Sequence, residues 1–127
     1  MFSHVVVGTN DPRRAKRFYD AVLGVLGYGE GMHWGPGKYV YLSDDSFFIV
    51  AQPVDGQPVV PANDSTIGFA CSSAEQVDLW HAVGKAKGGK PIEETPGLRE
   101  TEAGGLYLAY LRDPDGNKLC AVHRMAA

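Results

Sequence analysis

The chain repeats its own pattern at a fixed offset. His4-Val-Val-Val-Gly-Thr-Asn-Asp near the start is matched by Thr66-Ile-Gly-Phe-Ala-Cys-Ser-Ser in the second half. Behind each comes an amphipathic helix pattern in which Phe18 and Trp80 hold equivalent places, so both pairs, 4 to 66 and 18 to 80, are 62 residues apart. Each half then carries a Tyr-containing strand ending in leucine before an acidic turn, Tyr39-Val-Tyr-Leu-Ser-Asp-Asp and Leu108-Ala-Tyr-Leu-Arg-Asp-Pro-Asp-Gly. A last apolar strand closes each, Phe47-Phe-Ile-Val-Ala and Lys118-Leu-Cys-Ala-Val. Two copies of one β-α-β-β-β unit in a chain of 127 residues predict an α+β fold. Its two modules make a curved, open, barrel-like mixed sheet with the helices outside. One domain, 1–127, is expected, with module 1 over about 1–55, a Pro/Gly-punctuated linker over about 53–64 and module 2 over about 65–127.

Local signals mark the elements. Asn10-Asp11-Pro12 starts a helix, with a capping side chain followed by a proline whose missing N–H is harmless in the first turn. Ala15, Phe18, Tyr19, Val22 and Leu23 form its buried stripe. The Gly29–Gly37 stretch, with His33 and Trp34, reads as a mobile loop, and strands are predicted at about 38–43 and 46–52. Ser72-Ser-Ala-Glu75 is a capping-box pattern, with Glu75 as the returning carboxylate. Val77, Trp80, Val83 and Ala86, with Leu79, make the second stripe, and Gly88-Gly89 stops it. Lys90 to Gly105 reads as strand plus charged loop, before strands at 106–112 and 118–123.

A net charge of −3 argues against a nucleic-acid partner, since phosphate binding needs a basic face. Arg13, Arg14, Lys16 and Arg17 read as a solvated helix face. No apolar run reaches the roughly 20 residues of a membrane helix. Met1-Phe-Ser-His runs straight into a strand pattern without a leader-like composition, and Cys71 and Cys120 lack metal-type spacing. A cytoplasmic protein with free thiols is therefore expected.

His4-Val-Val-Val-Gly-Thr-Asn-Asp-Pro, Phe18-Tyr19, Val22-Leu23-Gly24 and Tyr110-Leu-Arg-Asp-Pro-Asp-Gly-Asn-Lys-Leu together resemble the vicinal oxygen chelate superfamily. That superfamily includes glyoxalase I, bleomycin-resistance proteins and extradiol dioxygenases. The resemblance covers essentially the whole chain. It implies that metalloenzyme members would hold a divalent ion through one residue from the first and one from the last strand of each module. Those positions here are His4 and Ile49, then Thr66 and Cys120, with Gln52 as the nearest polar alternative to Ile49. Cys120 stands for the usual Glu and Thr66 for the usual His, while Ile49 has no donor atom. Hard divalent ions want several carboxylate or imidazole ligands, so no metal cofactor is expected. If a metal such as Zn, Ni, Mn or Fe binds, His4 and Cys120 should touch it.

Strand alternation assigns the pocket wall. Val5 and Val7 go to the helix, leaving His4 and Val6 inward. With Val40 and Leu42 on the helix, Tyr39 and Tyr41 also face inward, matched by Leu108 and Tyr110. Ile49, Thr66 and Cys120 complete the wall, Arg99 is the candidate for an anionic group, and Trp34 lies on a loop able to close. The preferred function is a glyoxalase/bleomycin-resistance-like protein with a degraded metal site, binding a small, partly aromatic or anionic molecule. Its alternative is a divalent-metal-dependent lyase or isomerase of glyoxalase I (lactoylglutathione lyase) type. A metal-free enzyme using Cys120 or a tyrosine is a third reading, so catalysis stays open. The resemblance also implies a homodimer.

Overall fold

The computed structural model describes residues 1–125; the last two residues of the expected second module lie outside them. The first half runs β1 (His4–Gly8), α1 (Pro12–Val25), β2 (Met32–His33), β3 (Lys38–Leu42) and β4 (Phe47–Ala51). The second runs β5 (Thr66–Ala70), α2 (Ala74–Ala86), β6 (Lys90–Pro91), β7 (Gly97–Thr101), β8 (Gly104–Arg112) and β9 (Lys118–Arg124). The four-stranded sheet has the order β1-β4-β3-β2, and the five-stranded sheet the order β5-β9-β8-β6 with β7 also on β8. In each, the first strand pairs parallel to the last and the other pairings are antiparallel. The sheets curve without closing into a barrel, as the α+β reading expects.

Asp11 caps α1 by accepting from the Arg14 N–H at 3.1 Å, and Pro12 opens the helix. At its far end Gly27 takes a φ of 92°, which glycine adopts without a Cβ penalty. The second cap differs from the sequence reading. Ser73 accepts from the Gln76 N–H, and Gln76 Oε1 returns to the Ser72 N–H at 2.7 Å, so Gln76 rather than Glu75 supplies the reciprocal partner. Leu79 is exposed, and Gly84 takes a buried place on α2 instead. The Gly29–Gly37 stretch is also more ordered than a loop. Met32 and His33 pair with Val40 and Tyr39, and Gly35 and Gly37 turn the hairpin at positive φ.

One core joins both halves: Phe18, Tyr19, Val22, Val50, Val77, Trp80, Leu111 and Leu119 are almost completely buried within one cluster. The Asp113–Asn117 turn ties the halves together by polar bonds. Asp113 accepts from the Tyr19 hydroxyl, both backbone N–H groups of Asp115 and Asn117, and Asn117 Nδ2. Asp115 accepts from the Thr9 hydroxyl at 2.6 Å, the Asn10 N–H at 2.8 Å and Arg14 at 2.7 Å. Asn117 Nδ2 also donates to the Gly8 carbonyl at 2.9 Å. This turn, one of the segments that carry the sequence resemblance, is a clasp between modules.

β3 corrects the wall assignment. Tyr41 packs with Tyr19 and Phe48 in the core, and its hydroxyl donates to Asp20 at 2.8 Å. Tyr39 shares that face, with the Lys16 ammonium 5.8 Å from its ring. Val40 and Leu42 therefore point away from the helices, and Tyr39 and Tyr41 do not line the wall. The error is one residue of register. The β3–β4 hairpin closes with Leu42 opposite Phe47, and the β8–β9 hairpin with Arg112 opposite Lys118. Leu42 thus corresponds to Arg112, not to Leu111, and Val40 rather than Tyr41 corresponds to Tyr110. A slip of one residue turns every side chain to the other face.

Candidate functional site

The helix-free face of the two sheets collects alternate residues from each strand. Antiparallel and parallel partners point the same way, so Val6, Ile49 and Val40 form one row in module 1, and Gly68, Cys120 and Tyr110 the corresponding row in module 2. His4 and Phe47 make the next row, matched by Thr66 and Lys118. The four positions named for a metal, His4, Ile49, Thr66 and Cys120, all stand on this face.

Their chemistry does not fit a divalent ion. The His4 imidazole lies flat on the Phe47 ring, centroids 4.8 Å apart and planes within 5°, and its Nδ1 is 2.7 Å from Ser3 Oγ. Ile49 is buried with Val40 and Ala51 in a small apolar cluster. The exposed Thr66 hydroxyl donates to the Asp64 carbonyl at 3.2 Å. Burial pushes the Cys120 thiol up to about 11, which keeps it protonated at neutral pH and poor as ligand or nucleophile. Among the described residues, no three His, Cys, Asp or Glu side chains gather to hold a metal ion.

Module 1 gives the face an apolar half. Trp34 meets Phe47 edge-on at 6.0 Å, and Val6, Met32, Trp34 and Leu42 are each about half exposed. Module 2 gives a mixed half, where Leu108 is buried and Tyr110 half-buried. Burial raises the Tyr110 hydroxyl, with Cys120 beside it contributing. Arg99, on β7 opposite Leu106, has its guanidinium engaged by the Thr95 carbonyl at 3.0 Å and Glu94 at 3.8 Å.

Two hollows flank β1. One, of about 550 Å³, runs from Val6 and Gly8 past Pro53 and Val59–Ala62 to Lys118. The other, of about 350 Å³, lies between His4, Leu42 and Phe47 on one side and Gly68 and Phe69 on the other. Both are within the range of small-molecule sites.

Of the residues named from sequence, the structure brings His4, Trp34, Ile49, Thr66, Arg99, Tyr110 and Cys120 to the helix-free side and leaves Tyr39 and Tyr41 on the helix side, where Tyr41 borders the 350 Å³ hollow. Phe47 and Lys118 were missed. Each lies two residues before an assigned wall position, Ile49 or Cys120, so the same alternation points to it.

A family model described as the Glyoxalase/Bleomycin resistance protein/Dioxygenase superfamily matches residues 1–121. The chain is similar to a glyoxalase/bleomycin resistance protein from Albidiferax ferrireducens T118, with 54% identity over 98% of this chain and 99% of that one, and a TM-score of 0.95. A glyoxalase-related enzyme from Fulvimarina pelagi shares the fold at 16% identity, covering 98% of this chain and 88% of its own, with a TM-score of 0.75. So does a glyoxalase/bleomycin resistance protein/dioxygenase family enzyme from Burkholderia phytofirmans PsJN, at 20% identity over 97% and 98% of the two chains and a TM-score of 0.74. No curated protein matches the sequence.

Proposed function

The chain belongs to the glyoxalase/bleomycin resistance protein/dioxygenase superfamily, and from that premise we propose that it binds a small, partly aromatic or anionic molecule on its helix-free face without a metal. The observation carrying this reading is the set His4, Ile49, Thr66 and Cys120, where one imidazole is stacked, one side chain has no donor and one thiol is held neutral. The lyase or isomerase reading needs a metal to polarise an oxygen and a carboxylate to move a proton. Of these positions only His4 is an ordinary metal ligand, and none is a carboxylate. Tyr110, Phe47 and Trp34 offer flat rings instead, and buried aromatic area at about 25 cal/mol per Å² makes each a potential anchor.

Calorimetric titration of aromatic acids tests the binding reading. Tyr110→Ala is expected to weaken them roughly tenfold, about 1.4 kcal/mol, with the fold intact; unchanged affinity would place the site elsewhere. Elemental analysis of the purified protein accompanies it, and stoichiometric Zn, Ni, Mn or Fe replaces this reading with the lyase one. We also propose a homodimer that covers part of the face, because Val6, Met32, Trp34 and Leu42 leave apolar area in water and β1 and β5 are sheet edges. Light scattering that returns a monomer at every concentration overturns it. Its place is the cytoplasm, in keeping with free Cys71 and Cys120; among the described residues no helix is long and apolar enough to cross a membrane.

A further inference from the structure

Lys118 opens β9 and leaves the sheet on the same face as Cys120. Its side chain is only 13% exposed, and its ammonium lies 5.0 Å from the centre of the Tyr110 ring. Two carboxylates complete its surroundings, Glu93 at 2.6 Å and Asp64 at 3.2 Å. Neither comes from a strand. Asp64 ends the linker before β5, and Glu93 lies between β6 and β7.

Both carboxylates are held in an unusual way. Among the described residues, Asp64 and Glu93 are the only non-glycine residues at positive φ, 63° and 58°. That region is disfavoured by the Cβ, more for Glu than for Asp, and such strain concentrates at binding and switching sites. The pairs themselves do not account for it, since ion pairs with solvent-exposed partners add little stability and the Asp64 side chain is 88% exposed. Two unrelated loops bend against their preference to set negative charge on one shielded ammonium above an aromatic ring.

We propose that Lys118 is the anion-receiving residue of the helix-free face, and that Asp64 and Glu93 form a carboxylate latch which the carboxylate of an aromatic acid displaces. This rests on the small-molecule reading above and names its ligand class. The incoming carboxylate takes the position of the latch at the ammonium, while the ring of the acid lies along Tyr110. Asp64 and Glu93 return to water, where an unpaired carboxylate is well solvated, and their backbones are free to leave the left-handed region. The 550 Å³ hollow ends at Lys118, so a ligand there also meets the linker that carries Asp64. Arg99 does not border this hollow and plays the lesser part.

The test uses 2-naphthoate and its neutral analogue 2-naphthamide as probes, titrated calorimetrically into the wild type, Lys118→Met and the double variant Asp64→Asn/Glu93→Gln. Naphthoate should bind roughly tenfold tighter to the double variant and roughly tenfold weaker to Lys118→Met, the scale of one charged hydrogen bond gained or lost. Naphthamide should change by less than about twofold, because it lacks the charge that competes with the latch. If Lys118→Met fails to fold, the double variant decides alone. Equal naphthoate affinity across the folded proteins overturns the latch. Should naphthamide still bind and Tyr110→Ala weaken it, the small-molecule reading survives that result. Binding of neither probe to any of the proteins overturns the latch and counts against the face as the site.

Discussion

Asp20 gathers three donors around one carboxylate: Lys16 at 2.6 Å, the Gly31 N–H at 2.8 Å and the Tyr41 hydroxyl at 2.8 Å. Partial burial alone would raise its carboxyl, but the Gly31 and Lys16 bonds, with Tyr41, hold it below the ordinary 3.8. A lowered folded value contributes stability that is present above the unfolded value and is lost as pH falls through the folded one. Asp20→Asn should therefore cost about 1 kcal/mol at pH 7. In urea titrations at a series of pH values, its gap to the wild type should hold down to about pH 5 and narrow progressively below about 4, as pH falls toward the lowered folded value. A gap that does not narrow as pH falls would mean the charge is not what matters. Gly31 belongs to the same arrangement. A Cβ there would stand 2.6 Å from the Tyr41 ring, so the chain enters β2 over an aromatic face that only glycine clears.

Among the elements, α2 shows what a helical pattern leaves out. Val77 and Trp80 are readable as its buried face, yet Gly84, which has no apolar side chain to betray it, is buried beside them. A Cβ at Gly84 would lie 2.4 Å from Leu111 Cδ1 and 3.1 Å from Val22 Cγ1. Gly84→Val should destabilise by about 1–3 kcal/mol or more through overpacking, measured as a lower denaturation midpoint with unchanged slope. The strands tell a similar story. Alternation was enough to bring His4, Ile49, Thr66 and Cys120 to one face, because an apolar neighbour of each packs toward the helices. Tyr110 is placed by its match to Tyr41 and stands on that face although the match is one residue out. Alternation failed at Lys38–Leu42, where tyrosine and valine alternate and either set could be buried. Leucine before each acidic turn suggests matching Leu42 with Leu111, but the first turn spans four residues, Ser43–Ser46, and the second five, Asp113–Asn117. The partners of Lys118 were illegible for another reason. They come from loops whose path depends on the assembled modules, and no local period records them.

For the whole molecule, the pattern of repeats foretold two equivalent modules, but it could not foretell how unequally they are joined. The Asp113–Asn117 turn of module 2 reaches into the β1–α1 junction of module 1, whereas the matching Ser43–Ser46 turn bonds mainly to itself. The linker adds a Val59 N–H to Asn10, a close approach of Val59 to Gly8 and of Pro61 to Gly116, and the Asp64 bond to Lys118. Val54 is fully exposed in it, beside Asp55 and Gly56. Covalent continuity is therefore close to redundant once folding is done. A protease that nicks the chain near Val54 should leave a particle that elutes unchanged on a sizing column and divides into two peptides only in denaturant. If the halves separate in native buffer, Asp113, Asp115 and the shared core are too weak to hold what the peptide bond had been holding for them.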